Sequence, residues 1–191
     1  RTMLKLTKKR SSYLIILIIS IIIFPIANGS LTTKGASLQL NCSYSIEIET
    51  TCAPSAETTD HISIRFSDSV GDLIIVKHLK NPKLLYAPKG VKKQGGKYGG
   101  FARCAIDMFE ARGACMSRRV CALYLKRFGS DGWRPGWVKV LHQQDGGGHA
   151  VPVSYVFYFR TFLPGNVWYG FDYCQSRGSF TPQVVNFSLE D

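Results

Sequence analysis

Six cysteines carry the most obvious chemistry in the chain: Cys42, Cys52, Cys104, Cys115, Cys121 and Cys174. A structural zinc site would bring them in paired CxxC spacing or set two against an HxxxH pair, and neither spacing occurs. A single nucleophilic thiol would leave an odd partner behind. The even set reads as three disulfide bonds formed in an oxidising compartment. His142, Asp145 and His149 could ligate a metal around the glycine run 146–148, but a polar turn accounts for them without one. Asp60, Asp68, Asp72 and Asp131 stand at segment ends, where carboxylates can gather around calcium. They lack a spaced acidic loop motif, and turn and capping roles account for them equally well. No metal or other cofactor is expected. GxSxG, HExxH, a phosphate-cradling glycine loop and an obvious pair of catalytic carboxylates are all missing, so an enzyme is not expected either.

What remains is recognition chemistry. Trp133 sits between Gly132 and Arg134, and Trp168-Tyr169 follows the turn 163–166. An amphipathic indole beside a cation suits a membrane interface with anionic head groups, and the same pairing would stack on a sugar ring. Seven lysines fall between Lys77 and Lys97, with no acid from Asp72 to Asp107. Such a run is either a solvated loop or a surface that meets anionic lipid, polysaccharide or acidic protein. Trp133, Arg134, Trp168, Tyr169, Lys89, Lys92, Lys93 and Lys97 are therefore the candidate binding residues.

Strands must position them. Tyr44, Ile46, Ile48 and Thr50 alternate with Ser45, Glu47 and Glu49, the period of a half-buried strand. Ile62, Ile64 and Phe66 repeat the pattern, and 73–79 supplies a more continuous apolar strand. Residues 81–100, rich in Lys, Gly and Pro, read as a surface loop. Short strands are expected at 101–104 and 106–109. Residues 121–141 read as strand, corner, strand: Gly129 and Gly132 let the chain turn, and Pro135 restarts it. Val151, Val153, Tyr155, Phe157 and Phe159 form the longest alternation, and 167–174 a last aromatic strand. Leu123, Leu125 and Trp137 are assigned to the core, Trp168 to a sandwich end, and Trp133-Arg134 to the surface. With no helical period, these seven or eight segments predict an all-β protein, an antiparallel β-sandwich stabilised by disulfides. Cys42 is expected to pair with Cys174, because one precedes the first strand and the other ends the last. The remaining two pairings stay open.

Residues 1–29 combine a basic start (Arg1, Lys5, Lys8, Lys9, Arg10), an apolar run of about 11 residues (14–24) and small residues near Gly29, which reads as a cleaved secretory signal peptide. The run is shorter than the ~20 residues that span a bilayer. Met3 is read as the initiator. The net charge of +11 falls to +6 once the five basic residues of 1–29 are removed, leaving 19 basic against 13 acidic. A linker (30–41), a domain (42–174) and an unstructured polar tail (175–191) complete the organisation. Asn41 and Asn186 open glycosylation sequons, the first crowded by Cys42. A secreted chain is not expected to meet nucleic acid.

The motifs Cys42-x-Tyr44-x-Ile46-x-Ile48-x-Thr50-x-Cys52, Cys104-x-x-Asp107-x-Phe109, Gly113-x-Cys115, Cys121-x-Leu123-Tyr124-Leu125, Gly129-x-Asp131-Gly132-Trp133-x-Pro135 and Val167-Trp168-Tyr169-Gly170 with Cys174 together resemble the plant embryo-specific protein 3 family. That family is similar to the PLAT (lipoxygenase-homology) domain, a β-sandwich module that binds lipid, membrane or protein. The resemblance spans about 42–174. It implies an apoplastic, non-enzymatic binding module with a role in embryo or seed development, its partner an anionic lipid surface or a protein. A carbohydrate or cell-wall module is the alternative. Ser67 stands where such domains often have glycine, and 89–97 looks like an enlarged loop.

Overall fold

The computed structural model describes residues 41–90, 99–142, 153–174 and 181–187. Among them run β1 (Asn41–Thr50), β2 (His61–Asp68), β3 (Leu73–Val76), β4 (Lys83–Tyr86), β5 (Ile106–Ala114), β6 (Val120–Phe128), β7 (Pro135–His142), β8 (Val153–Tyr158), β9 (Trp168–Asp172) and β10 (Gln183–Val185). They form two five-stranded sheets, ordered β4-β5-β1-β7-β8 and β10-β9-β6-β2-β3, in which neighbouring strands are antiparallel. The all-β sandwich anticipated from alternation is therefore the fold. Most of its core is the set that alternation nominates: Tyr44, Ile46, Ile48, Ile62, Ile64, Phe66, Leu123 and Leu125 are buried between the sheets, and Val138 and Val140 join them. Apolar burial of this kind contributes about 25 cal/mol per Å² and is what holds two sheet faces together.

The strands depart from the sequence reading in several places. Residues 83–86 are not loop but an edge strand, β4, paired with β5. Residues 101–104 are not a strand, and β5 is one nine-residue strand rather than a short piece. It passes through Gly113, where a Cβ would lie 2.4 Å from Ile74 Cδ1, so glycine lets the two sheets close there. Trp137 faces outward on β7, half-buried, because Val138, Val140 and His142 take the inward positions. Lastly, β10 lies within the polar tail and is tied to β9 by three register pairs.

The disulfides are Cys42–Cys115, Cys52–Cys104 and Cys121–Cys174. The expected Cys42–Cys174 bridge is thus wrong, for a geometric reason. Cys42 lies in register opposite Gly113 of β5, two residues from Cys115, while Ala122 of β6 lies opposite Asp172 of β9, which sets Cys121 beside Cys174. Each observed bridge instead joins chain segments flanking hydrogen-bonded neighbours, with Cα atoms 4.5–4.9 Å apart. Two staple both ends of β1 to β5, and the third staples β6 to β9.

Candidate functional site

One end of the sandwich gathers the segments 51–60, 99–105, 129–134 and 159–167, here termed the corner end. Backbone hydrogen bonds knit them: Thr51 N–H donates to the Arg134 carbonyl (3.1 Å), Arg134 N–H to Ala56 (3.0 Å), Thr58 N–H to Phe101 (3.3 Å) and Leu163 N–H to Trp133 (2.8 Å). Trp133 is the plug at the centre of this end. It is 0% exposed, not the surface ring the sequence suggested. Phe101 meets it edge-to-face at 4.9 Å and stacks in turn on Phe109. The indole Nε1–H donates to Thr50 Oγ1 at 3.1 Å, which satisfies the one polar atom the ring takes inside. Burial of Trp133 has a consequence one residue on: it fixes the backbone from which Arg134 projects.

Arg134 donates from Nε and Nη2 to the Arg160 carbonyl (3.3 and 3.1 Å), and its guanidinium lies 5.9 Å from the Phe162 ring. Arg160, held at φ 52°, lies 5.2 Å over Tyr158. On the adjoining outer face of the second sheet, Lys126 Nζ sits 4.7 Å from Phe128 and 5.9 Å from Trp168. Phe128, Tyr158 and Phe162 are 41%, 56% and 49% exposed. These pairs form an aromatic–cationic rim around the corner end. The separations fit the cation–π range of about 6 Å, which steadies both partners without burying either.

Two of the nominated residues, Arg134 and Trp168, belong to this rim. Tyr169 does not: it turns inward to pack against the core beside Phe159. Lys89 lies off the rim and lines, with Glu57, Asp60, Arg103 and Asp131, a cleft of about 840 Å³ formed by the same corner-end segments, a lining of mixed charge. Lys92, Lys93 and Lys97 lie outside the described residues, as do the signal segment, Asp145 and His149. Asn41 begins β1, and Asn186 is exposed just past β10. Sequence reasoning missed Lys126, Phe128, Tyr158, Arg160 and Phe162. Their signal was present, a cation within two residues of each ring, but in strands and a strand end that alternation alone had marked as ordinary.

The four aspartates divide between opposite ends of the eight-residue β2, so they cannot share a cation. Asp68 Oδ1 accepts the N–H groups of Val70, Gly71 and Asp72, each at 3.0 Å, and its Oδ2 accepts Arg118 N–H at 2.9 Å. Asp72 accepts the Ser117 hydroxyl and N–H, which hold its carboxyl below the usual range. At the corner end Asp60 Oδ2 accepts Arg127 Nη1 at 2.6 Å and Asp131 N–H at 2.9 Å, both side chains largely buried. Asp131 Oδ2 in turn accepts Thr59 N–H at 2.9 Å. Gly129, at φ 140°, admits the Asp60 carboxylate, because a Cβ there would lie 2.0 Å from Oδ1. These are corner-fastening roles. Asp60→Asn, which keeps the shape but loses a charge-assisted bond, is expected to cost about 2 kcal/mol in urea unfolding.

Residues 30–174 match the family model described as Embryo-specific protein 3 (ATS3). Two relatives from Arabidopsis thaliana, Embryo-specific protein ATS3A and Embryo-specific protein ATS3B, are 38% and 34% identical over 138 and 135 residues, 72% and 71% of this chain. The chain spans 65% and 60% of the lengths of those relatives. Among solved structures, the one described as Delta413-417:GS LOX is similar with a TM-score of 0.47 and 17% identity, over 68% of this chain and 16% of that one.

Proposed function

This chain belongs to the embryo-specific protein 3 family, and we propose that it is a secreted, non-enzymatic binding module whose aromatic–cationic rim docks on an anionic lipid surface. One observation carries the reading: exposed rings at the corner end each have a Lys or Arg beside them, on a frame fixed by a buried tryptophan and cross-linked loops. Rings of this type partition into the head-group layer, while each cation near the surface contributes about 1 kcal/mol of attraction to anionic lipid. The frame supports the reading because a rigid rim loses little conformational entropy on docking. The PLAT-like character of the sequence motifs supports the same class of partner. Three disulfides suit an oxidising destination, and the names of the relatives support an embryo or seed context.

Co-sedimentation with phosphatidylserine and phosphatidylcholine vesicles tests it. Binding is expected to phosphatidylserine and to weaken with salt. Lys126→Ala with Arg160→Ala together are expected to weaken it by about 2 kcal/mol, roughly thirtyfold. Absence of wild-type binding to any anionic vesicle would sink the reading. Glycan binding that persists in high salt would favour a cell-wall module instead, since ring stacking on sugars is screened far less than surface charge.

A further inference from the structure

We propose that His61 and His78 form a surface chelate for a divalent transition metal, with copper(II) the preferred ion and nickel(II) and zinc(II) weaker ones. His61 Nδ1 and His78 Nε2 lie 2.7 Å apart as a hydrogen-bonded pair, with the rings at 70°, and a metal would take the place of the proton they share, which moves to the donor ring's other nitrogen. Metal–imidazole bonds of about 2.0–2.1 Å at a right angle require nitrogens about 2.9 Å apart, and tetrahedral bonds about 3.4 Å. The observed separation therefore needs to open by only about 0.2 Å for cis ligands of a square plane, the geometry copper(II) and nickel(II) favour. Water would fill the remaining positions.

The backbone holds both ligands in place before any ion arrives. His61 is the first residue of β2 and pairs with Phe128 of β6. On one side of His78, the Lys77 carbonyl accepts the Ser63 hydroxyl; on the other, Leu79 N–H donates to the Ile62 carbonyl at 2.8 Å. The two imidazoles thus project from adjacent, cross-linked backbone segments, and chelation costs little ordering. His78 is half-buried beside Lys80. Lys80 repels a cation, so the affinity expected is that of an exposed two-histidine chelate rather than of a closed metal centre.

The test is titration of the full, disulfide-bonded protein with copper(II), followed by calorimetry and by the nitrogen hyperfine pattern in electron paramagnetic resonance. A pattern from two imidazoles is expected, with His61→Ala and His78→Ala each losing roughly tenfold or more in affinity. Both side chains are at the surface, and near-ultraviolet circular dichroism checks that the variants fold. In the wild type, zinc(II) should shift the ring resonances of His61 and His78 while leaving the buried His142 unmoved. Copper affinity unchanged in either variant, or lost instead on replacing His149, overturns the proposal.

Discussion

Replacing Trp133 with alanine is expected to cost about 3–5 kcal/mol of unfolding free energy, the range for deleting a buried large aromatic side chain. The side chain is completely enclosed; Phe101 meets it edge-to-face and is backed by Phe109, which stacks on Phe101. Those rings are themselves held, since Phe101 N–H donates to the buried Asp107 carboxylate at 2.7 Å, so they cannot collapse freely into the space. Truncation would also leave Thr50 Oγ1 without its indole partner. Trp133→Phe separates the two contributions. It keeps most of the apolar volume but not the hydrogen bond, and is expected to cost about 1–3 kcal/mol. Urea unfolding with disulfides intact measures both. A loss below about 1 kcal/mol for Trp133→Ala would mean that the ring is not in the core. Vesicle binding per folded molecule should survive Trp133→Phe, because the ring anchors the rim without touching a partner.

Removing the Cys42–Cys115 bridge as a pair, Cys42→Ser with Cys115→Ser, is expected to cost about 4 kcal/mol. The bridge closes 73 residues of chain, and the entropy it withholds from the unfolded state rises with the logarithm of that length. Both sulfurs come from segments at one end of the β1–β5 pair, where Tyr44 adds a second tie by donating its hydroxyl to the Ala114 carbonyl at 2.6 Å and accepting from Met116 N–H at 2.9 Å. Cys121–Cys174 spans 53 residues, so its loss should be comparable. Peptide mapping without reduction provides the companion measurement. It should recover Cys42 joined to Cys115, and a Cys42–Cys174 peptide would refute the arrangement.

Much of this architecture could be read from alternation alone, because a strand with one buried face must place apolar residues at every second position. Tyr44 to Thr50 and Ile62 to Phe66 behave in this way. What alternation could not supply was anything decided by a distant segment. The edge strand Lys83–Tyr86 is exposed at all four positions, so it carries no inward pattern to detect. Trp133 looks like a turn residue until Phe101, Phe109 and Thr50 are brought beside it. The disulfides depend on which strands are neighbours, and that is a property of sheet order rather than of cysteine spacing. The rim suffered in a different way: Arg134 and Trp168 were legible as a ring or cation beside a turn, whereas Tyr158, Arg160 and Phe162 acquire meaning only when the two loops meet through the Arg134–Arg160 hydrogen bonds.

Quenching of intrinsic tryptophan fluorescence by brominated phosphatidylserine shows whether the rim docks on lipid. Of the three tryptophans, Trp133 is enclosed and serves as an internal reference, Trp137 is half-buried on the outer face of β7 beside Lys139, and Trp168 stands on the outer face of the second sheet beside Lys126. Quenching is predicted on adding brominated anionic vesicles, with a large part of it lost in Trp168→Phe and nearly all of it lost when Lys126 and Arg160 are replaced by glutamate. Fluorescence unaffected by brominated lipid, under conditions where the protein is folded, would rule out docking through the rim.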